Sequence, residues 1–185
     1  MIENNDKFVQ YSSVFIVTIL VWLVIYAREL TAFYMLRSAL VITFSYLAML
    51  FDIRQRCIPN KLVLSMFIAW SLLITQNLLT DMQTGILLFA DGMLGLLIGG
   101  GVFLAVYLLS RKGLGGGDVK FMAAAGLYLG FSSTIPAILY GTILAAMTGF
   151  ILIILGRITR KDSLPLAPFL FVGIMITVIT SERIQ

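Results

Sequence analysis

The sequence contains no histidine and a single cysteine, Cys57. Without imidazole there is no Ser-His-Asp or Cys-His nucleophile and no zinc site built on histidine. One cysteine excludes an internal disulfide and a cysteine-rich metal module. Charge is scarce as well: 12% of the 185 residues are Asp, Glu, Lys or Arg, against 60% hydrophobic residues and a mean hydropathy of +1.02. A soluble domain is about 25% charged and about 45–50% apolar. This chain has too few polar side chains to cover a water-facing surface, so it reads as an integral membrane protein whose apolar surface meets lipid. Any catalysis must draw mainly on Asp, Glu, Lys, Ser, Thr and Tyr, in or beside the bilayer.

What is abundant is apolar sequence in runs. A helix needs about 20 residues to cross a bilayer, which leaves room for seven crossings at most. Charged and turn-forming residues separate seven runs, near 11–26, 38–51, 62–79, 85–110, 119–131, 134–156 and 166–180. The expected architecture is all-α, a polytopic transmembrane helical bundle of about seven spans. The first run follows a polar start without a small-residue cleavage site, so it is expected to be an uncleaved anchor.

With the N-terminus in the cytoplasm, Lys7, Arg54, Arg56, Lys61, Arg111, Lys112, Lys120, Arg157, Arg160 and Lys161 lie inside, leaving Arg28, Arg37 and Arg183 outside. Basic residues collect on cytoplasmic loops, so this orientation is the expected one, in the inner (cytoplasmic) membrane. The formal charge of +4 therefore reports topology, and no nucleic-acid partner is expected. The chain is read as one membrane domain over 1–185, with 1–37 as an additional N-terminal anchor region and 38–180 as the core.

Two carboxylates stand out. Asp52 closes the second run, before Ile58-Pro59-Asn60, and Asp118 opens the fifth, after Gly115-Gly116-Gly117. Both fall at cytoplasmic helix ends in this topology, so they are able to meet in space although far apart in sequence. A charge at membrane depth needs a partner, water or a proton. Two adjacent carboxyl groups share a proton and titrate as a pair. That state suits water-mediated amide hydrolysis: the ionised member takes a proton from the attacking water while the protonated member polarises the carbonyl. The glycines let a backbone come close to another chain. The plainer alternative is that each aspartate caps a helix or balances Arg54 or Lys120, within a flexible glycine loop.

In combination these motifs resemble the prepilin peptidase family, membrane aspartyl proteases with a Gly-x-Gly-Asp motif. The resemblance rests on Asp52 with Ile58-Pro59-Asn60, then Gly115-Gly116-Gly117-Asp118-Val119-Lys120, Ala123-Ala124-Ala125-Gly126, Leu129-Gly130 and the segment from Leu164 to Leu170. It covers roughly residues 38–180 and implies that Asp52 and Asp118 are a catalytic pair cutting type IV prepilin or pseudopilin-like precursors at the cytoplasmic face. It implies no metal or organic cofactor. The family's substrates carry a short basic leader, which would need acidic contacts here. Gly115, Gly117, Pro59, Asn60 and Lys120 are read as structural support for the active-site loop.

The match has departures. Longer members carry a cytoplasmic domain with two cysteine pairs and methylate the new N-terminus; with Cys57 alone and a polar start of about ten residues, that domain is not expected here and the methyltransferase activity is in doubt. Where many relatives have Pro-Phe-Gly-Pro, this chain has Pro165-Leu166-Ala167-Pro168.

Other residues have plainer readings. Pro59 stops one helix and restarts another. Lys120 points away from Asp118 on a helix and is read first as a cytoplasmic anchor. Gly95, Gly99, Gly100 and Gly101, and separately Gly126 and Gly130, have the small-x-x-x-small spacing of close helix packing within the bundle. Asp91, in the fourth run, has no assigned role beyond reaching interfacial water or a neighbouring hydroxyl. Two alternatives remain: a relative acting on an archaeal preflagellin-type precursor, and a small transporter or channel passing protons or cations along Asp52, Asp118 and Asp91. The sequence does not set the oligomeric state.

Overall fold

Proline, glycine and aspartate punctuate an otherwise continuous apolar chain, and in the computed structural model they mark where the helices begin, end and bend. Residues 32–110, 114–157 and 164–181 are described. They form α1 (Ala32–Gln55), α2 (Asn60–Thr80), α3 (Met82–Leu109), α4 (Gly116–Ile154) and α5 (Ala167–Ser181). Among the described residues there is no strand. Four helices are long and apolar enough to cross a membrane, and Ala167–Thr180 is a shorter apolar helix, so the chain is an all-helical, multi-pass membrane protein. The run at 11–26 lies outside the described residues.

The breaks have local causes. α1 ends where Arg56 adopts a positive φ of 50°. Pro59, extended at φ −65° and ψ 136°, then starts α2, its carbonyl accepting from the Leu62 N–H at 3.0 Å. Pro59 is thus the expected restart, while the stop comes earlier, at Arg56. Asp81 alone separates α2 from α3: its N–H closes α2 on the Asn77 carbonyl, and its carboxylate accepts from the N–H groups of Gln83 (3.1 Å) and Thr84 (3.4 Å). This is an N-cap that serves the orphan donors of α3.

The fifth and sixth apolar runs are the two arms of α4, joined at Gly130, whose φ of 73° and ψ of −177° break the helix. A Cβ built on Gly99 of α3 would meet both the Met122 carbonyl in the first arm and Thr134 Cγ2, at 3.4 Å, in the second. The second arm therefore folds back beside the first. Only glycine tolerates that backbone without strain. The first arm begins at Gly116, earlier than its apolar run, and residues 121–130 are almost wholly buried between neighbours, which explains how so short a segment is accommodated.

Packing centres on α4. Phe121, Met122, Leu127 and Tyr128 are fully buried, as are Met66 of α2, Val41 of α1, and Leu170 and Ile174 of α5. The α3–α4 contact is the most extensive in the bundle. It depends on glycine, because a Cβ on Gly95 would strike the Gly126 carbonyl and one on Gly126 would strike the Gly95 carbonyl. The small-residue spacing is therefore intramolecular packing at Gly95, Gly99 and Gly126; Gly101 has nothing near it. Buried hydroxyls are satisfied within their own helices, Ser45 donating to Val41 O (2.6 Å), Thr134 to Gly130 O (2.6 Å) and Thr177 to Gly173 O (2.9 Å). In an apolar medium no such group can be left to water.

Two outcomes follow from this packing. Gly95→Ala must displace backbone rather than a side-chain end, so thermal unfolding in detergent is expected to show a loss of about 1–3 kcal/mol; parental stability would mean that the α3–α4 contact is looser than described. At the exposed α2–α3 junction, hydrogen bonds from the Thr84 hydroxyl and the Thr84 and Gln83 N–H groups hold the Asp81 carboxyl below the usual carboxylate range. A group so held stabilises the fold above its unfolded value, and the contribution is lost as pH falls through the folded one. The melting difference between the parent and Asp81→Ala should thus be present at neutral pH and shrink below about pH 4.

Candidate functional site

Asp52 lies near the C-terminal end of α1 and Asp118 in the first turn of α4, 66 residues apart in sequence. The fold brings these two helix ends together, close enough for the charge of Asp52 to act on the Asp118 carboxyl. Asp52 is only 7% exposed. Its Oδ2 accepts a hydrogen bond of 2.9 Å from the Ala167 N–H, the first residue of α5. A helix N-terminus carries unpaired donors and a partial positive charge, so a carboxylate is a natural partner for it. The side chain of Asp52 is fixed from across the bundle, not by its own helix.

Asp118 is held differently. Its N–H donates to the Gly115 carbonyl at 3.1 Å, closing the first turn of α4. Its Oδ1 is buried without a hydrogen-bond partner, and it is the only such side-chain atom among the described residues. A buried polar atom is costly unless a protein group, water or a ligand serves it.

The supporting residues expected from the sequence cluster here. A Cβ on Gly115 would lie 2.9 Å from Asp118 Oδ2, crowding the carboxylate. One on Gly117 would lie 3.3 Å from Ile58 Cβ, so the start of α4 rests on the turn between α1 and α2. Pro59 shapes that turn, and Lys120 Nζ donates to Asn60 Oδ1 at 3.1 Å across it. Lys120 is therefore a tie between α4 and α2, more specific than the anchor expected of it. One expectation changes: Gly116 and Gly117 are helical, so the glycine run is not a free loop, although Gly116 faces open space.

Two features of the sequence were less legible. The Ala167 N–H is a backbone group, signalled only by Pro165 and Pro168 marking a helix start. Asp91, to which the sequence gives no role, sits elsewhere: its Oδ1 accepts from the Phe131 N–H at 2.9 Å and its Oδ2 lies 3.6 Å from Arg37 Nη2. No group of three or more Cys, Asp or Glu side chains able to hold a metal occurs among the described residues. The site is two carboxylates, one fixed and one with a free oxygen, at one end of the bundle.

Comparison with known proteins bears on the same region. The model of the type IV leader peptidase family matches residues 39–154. The chain is similar to the prepilin leader peptidase/N-methyltransferase of Bacillus subtilis (strain 168), 29% identical over 136 residues, covering 72% of this chain and 51% of that protein. It is similar to that of Escherichia coli (strain K12), 30% identical over 133 residues (68% and 54%), and to that of Aeromonas salmonicida, 26% identical over 167 residues (87% and 55%). The chain spans about half the length of the curated relatives it matches. No solved structure matches it. A matched region that contains both aspartates, both glycines and the α1–α2 turn places the chain in the type IV leader peptidase family.

Proposed function

We propose that the chain is a membrane aspartyl endopeptidase that removes the leader peptide of type IV prepilin or pseudopilin-like precursors, with Asp52 and Asp118 as the catalytic pair. The observation that carries the reading is the meeting of these two carboxylates at one end of a helical bundle, with Asp118 Oδ1 buried and unpartnered. Family membership supports the reaction class. The peptidase-like core is residues 38–180 of one membrane domain, with 1–37 as a further anchor region.

In the proposed reaction the pair shares one proton. The ionised carboxylate takes a proton from water as the water oxygen bonds to the scissile carbonyl carbon, and the protonated one gives its proton to the carbonyl oxygen. As the gem-diol intermediate collapses and its C–N bond breaks, the carboxyl that took the water proton gives it to the amide nitrogen and a hydroxyl of the intermediate returns a proton to the other carboxylate, so the pair regains its starting state. The products are a leader carboxylate and a new amine terminus. The Ala167 N–H keeps Asp52 in place through one oxygen, and no hydrogen bond within the protein engages Asp118 Oδ1. No metal or organic cofactor enters this scheme. Gly115 gives the Asp118 carboxylate room, while Gly117, Pro59, Asn60 and Lys120 hold the two helix starts together.

The site faces the cytoplasm in this reading, with the N-terminus inside and seven spans in the inner membrane. Of the basic residues described, Arg54, Arg56, Lys61, Lys120 and Arg157 fall at the aspartate end and Arg37 at the other, in keeping with basic residues inside. The transport alternative is weaker, because Asp91 is engaged at the opposite end by Arg37 and a backbone N–H and does not extend a path from the pair.

The test is leader cleavage of co-expressed prepilins, read by mass spectrometry of the product N-terminus, which also reports any methylation. Asp52→Asn and Asp118→Asn should each lower the cleavage rate by about 10²–10⁴-fold at unchanged membrane abundance; cleavage surviving both substitutions would refute the assignment. The rate should pass through an optimum in pH and fall on both sides, because both the fully ionised and the fully protonated pair are inactive. A profile that levels off at either extreme would point to a single titrating group.

A further inference from the structure

The far end of the bundle holds a second set of ionisable groups, Arg37 and Asp91, in contact with the reversal of α4. At Gly130 the helix is interrupted, which frees backbone groups that lipid cannot satisfy. Asp91 Oδ1 accepts from the Phe131 N–H at 2.9 Å, and the Arg37 Nε donates to the Tyr128 carbonyl. The two side chains face each other at 3.6 Å, with Arg37 13% and Asp91 42% exposed. A Cβ on Gly130 would strike the Asp91 carboxylate, so the contact is made directly to the bend. One ion pair spanning α1 and α3 thus holds both sides of the break.

From that point the first arm of α4 runs without interruption to Asp118, twelve residues and about 18 Å away. Along this length it lies against α3 through backbone-to-backbone contacts at Gly95 with Gly126 and at Gly99 with Met122, which leave no flexible side chain to absorb a shift. The arm is one continuous helix, so an axial displacement at the bend would be carried to the Asp118 end. We infer that Arg37 and Asp91 are positioning residues for the proposed reaction, a clamp at the Gly130 reversal that sets the axial register of the first α4 arm and so the placement of Asp118 against Asp52. The inference rests on the proposed peptidase function for its catalytic consequence, but its structural half does not.

The experiment therefore has two arms. Gly116→Cys, which faces open space beside the Gly117–Ile58 contact, is paired with the exposed Cys57, and the yield of cross-linking by a short bifunctional maleimide reports the register of the α4 start. Prepilin cleavage kinetics are measured separately in chains without the added cysteine. Asp91→Ala removes the acceptor and the charge, and Arg37→Lys keeps the charge but lacks the planar fork that serves Tyr128 O and Asp91 together. Both should reduce the cross-linking yield and lower kcat by about ten- to a hundredfold, with KM changed less than about twofold, as misplacement of a catalytic group predicts. Asp91→Asn, which retains an acceptor for Phe131, should keep more activity than Asp91→Ala. If Asp91→Ala does not fold, Arg37→Lys decides. Parental cross-linking and kcat in folded Arg37→Lys would overturn the clamp, as would a KM effect without a kcat effect. Absence of cleavage by the parent would count against the peptidase reading alone, because the cross-linking arm still tests the register.

Discussion

In a chain this apolar, the backbone groups left open at helix starts and breaks are the governing constraint, because lipid offers them no partner. The protein meets it with its few carboxylates. Among the described residues the acidic side chains are Asp52, Asp81, Asp91 and Asp118. Asp81 caps α3, Asp91 accepts from the first N–H after the Gly130 break, and Asp52 accepts from the first N–H of α5. Each places negative charge at the positive end of a helix. Asp118 sits in the first turn of its own helix and keeps one buried oxygen without a partner.

That division of labour makes the candidate site intelligible. Asp52 has a structural duty to α5 and, in the proposed reaction, a chemical one; Asp118 lacks a comparable hydrogen-bond duty at Oδ1. A pair in which one member is immobilised and the other keeps a free oxygen suits general acid–base work on a bound amide and water. Asp52 alone ties the chemistry to a helix start, which is why abundance is measured beside the rate.

Glycine provides the other half of the arrangement. The α3–α4 interface consists of backbone pressed on backbone, with Gly95 facing Gly126 and Gly99 facing Met122. Without a hydrophobic driving force between helices in lipid, such close approach supplies the packing. It also leaves no flexible side chain between the two helices, so in the inferred clamp the first α4 arm links the Gly130 reversal with the Asp118 end as one body.

The sequence by itself determined the class of molecule and the six apolar segments that the described residues contain, because composition and run length respond directly to the bilayer. It marked Pro59 as a turn and the glycine spacing as packing, since each carries a local conformational signature, while Gly115, Gly117, Asn60 and Lys120 were tied to the site through the family resemblance. Only the tertiary structure decided that Asp52 serves α5, that Lys120 reaches Asn60, and that Asp91 binds the Gly130 break together with Arg37. The donors at Ala167 and Phe131 and the acceptor at Tyr128 are backbone groups, which every residue but proline presents alike. Their significance comes from being left open at a given place in the fold, and no pattern of side chains encodes that.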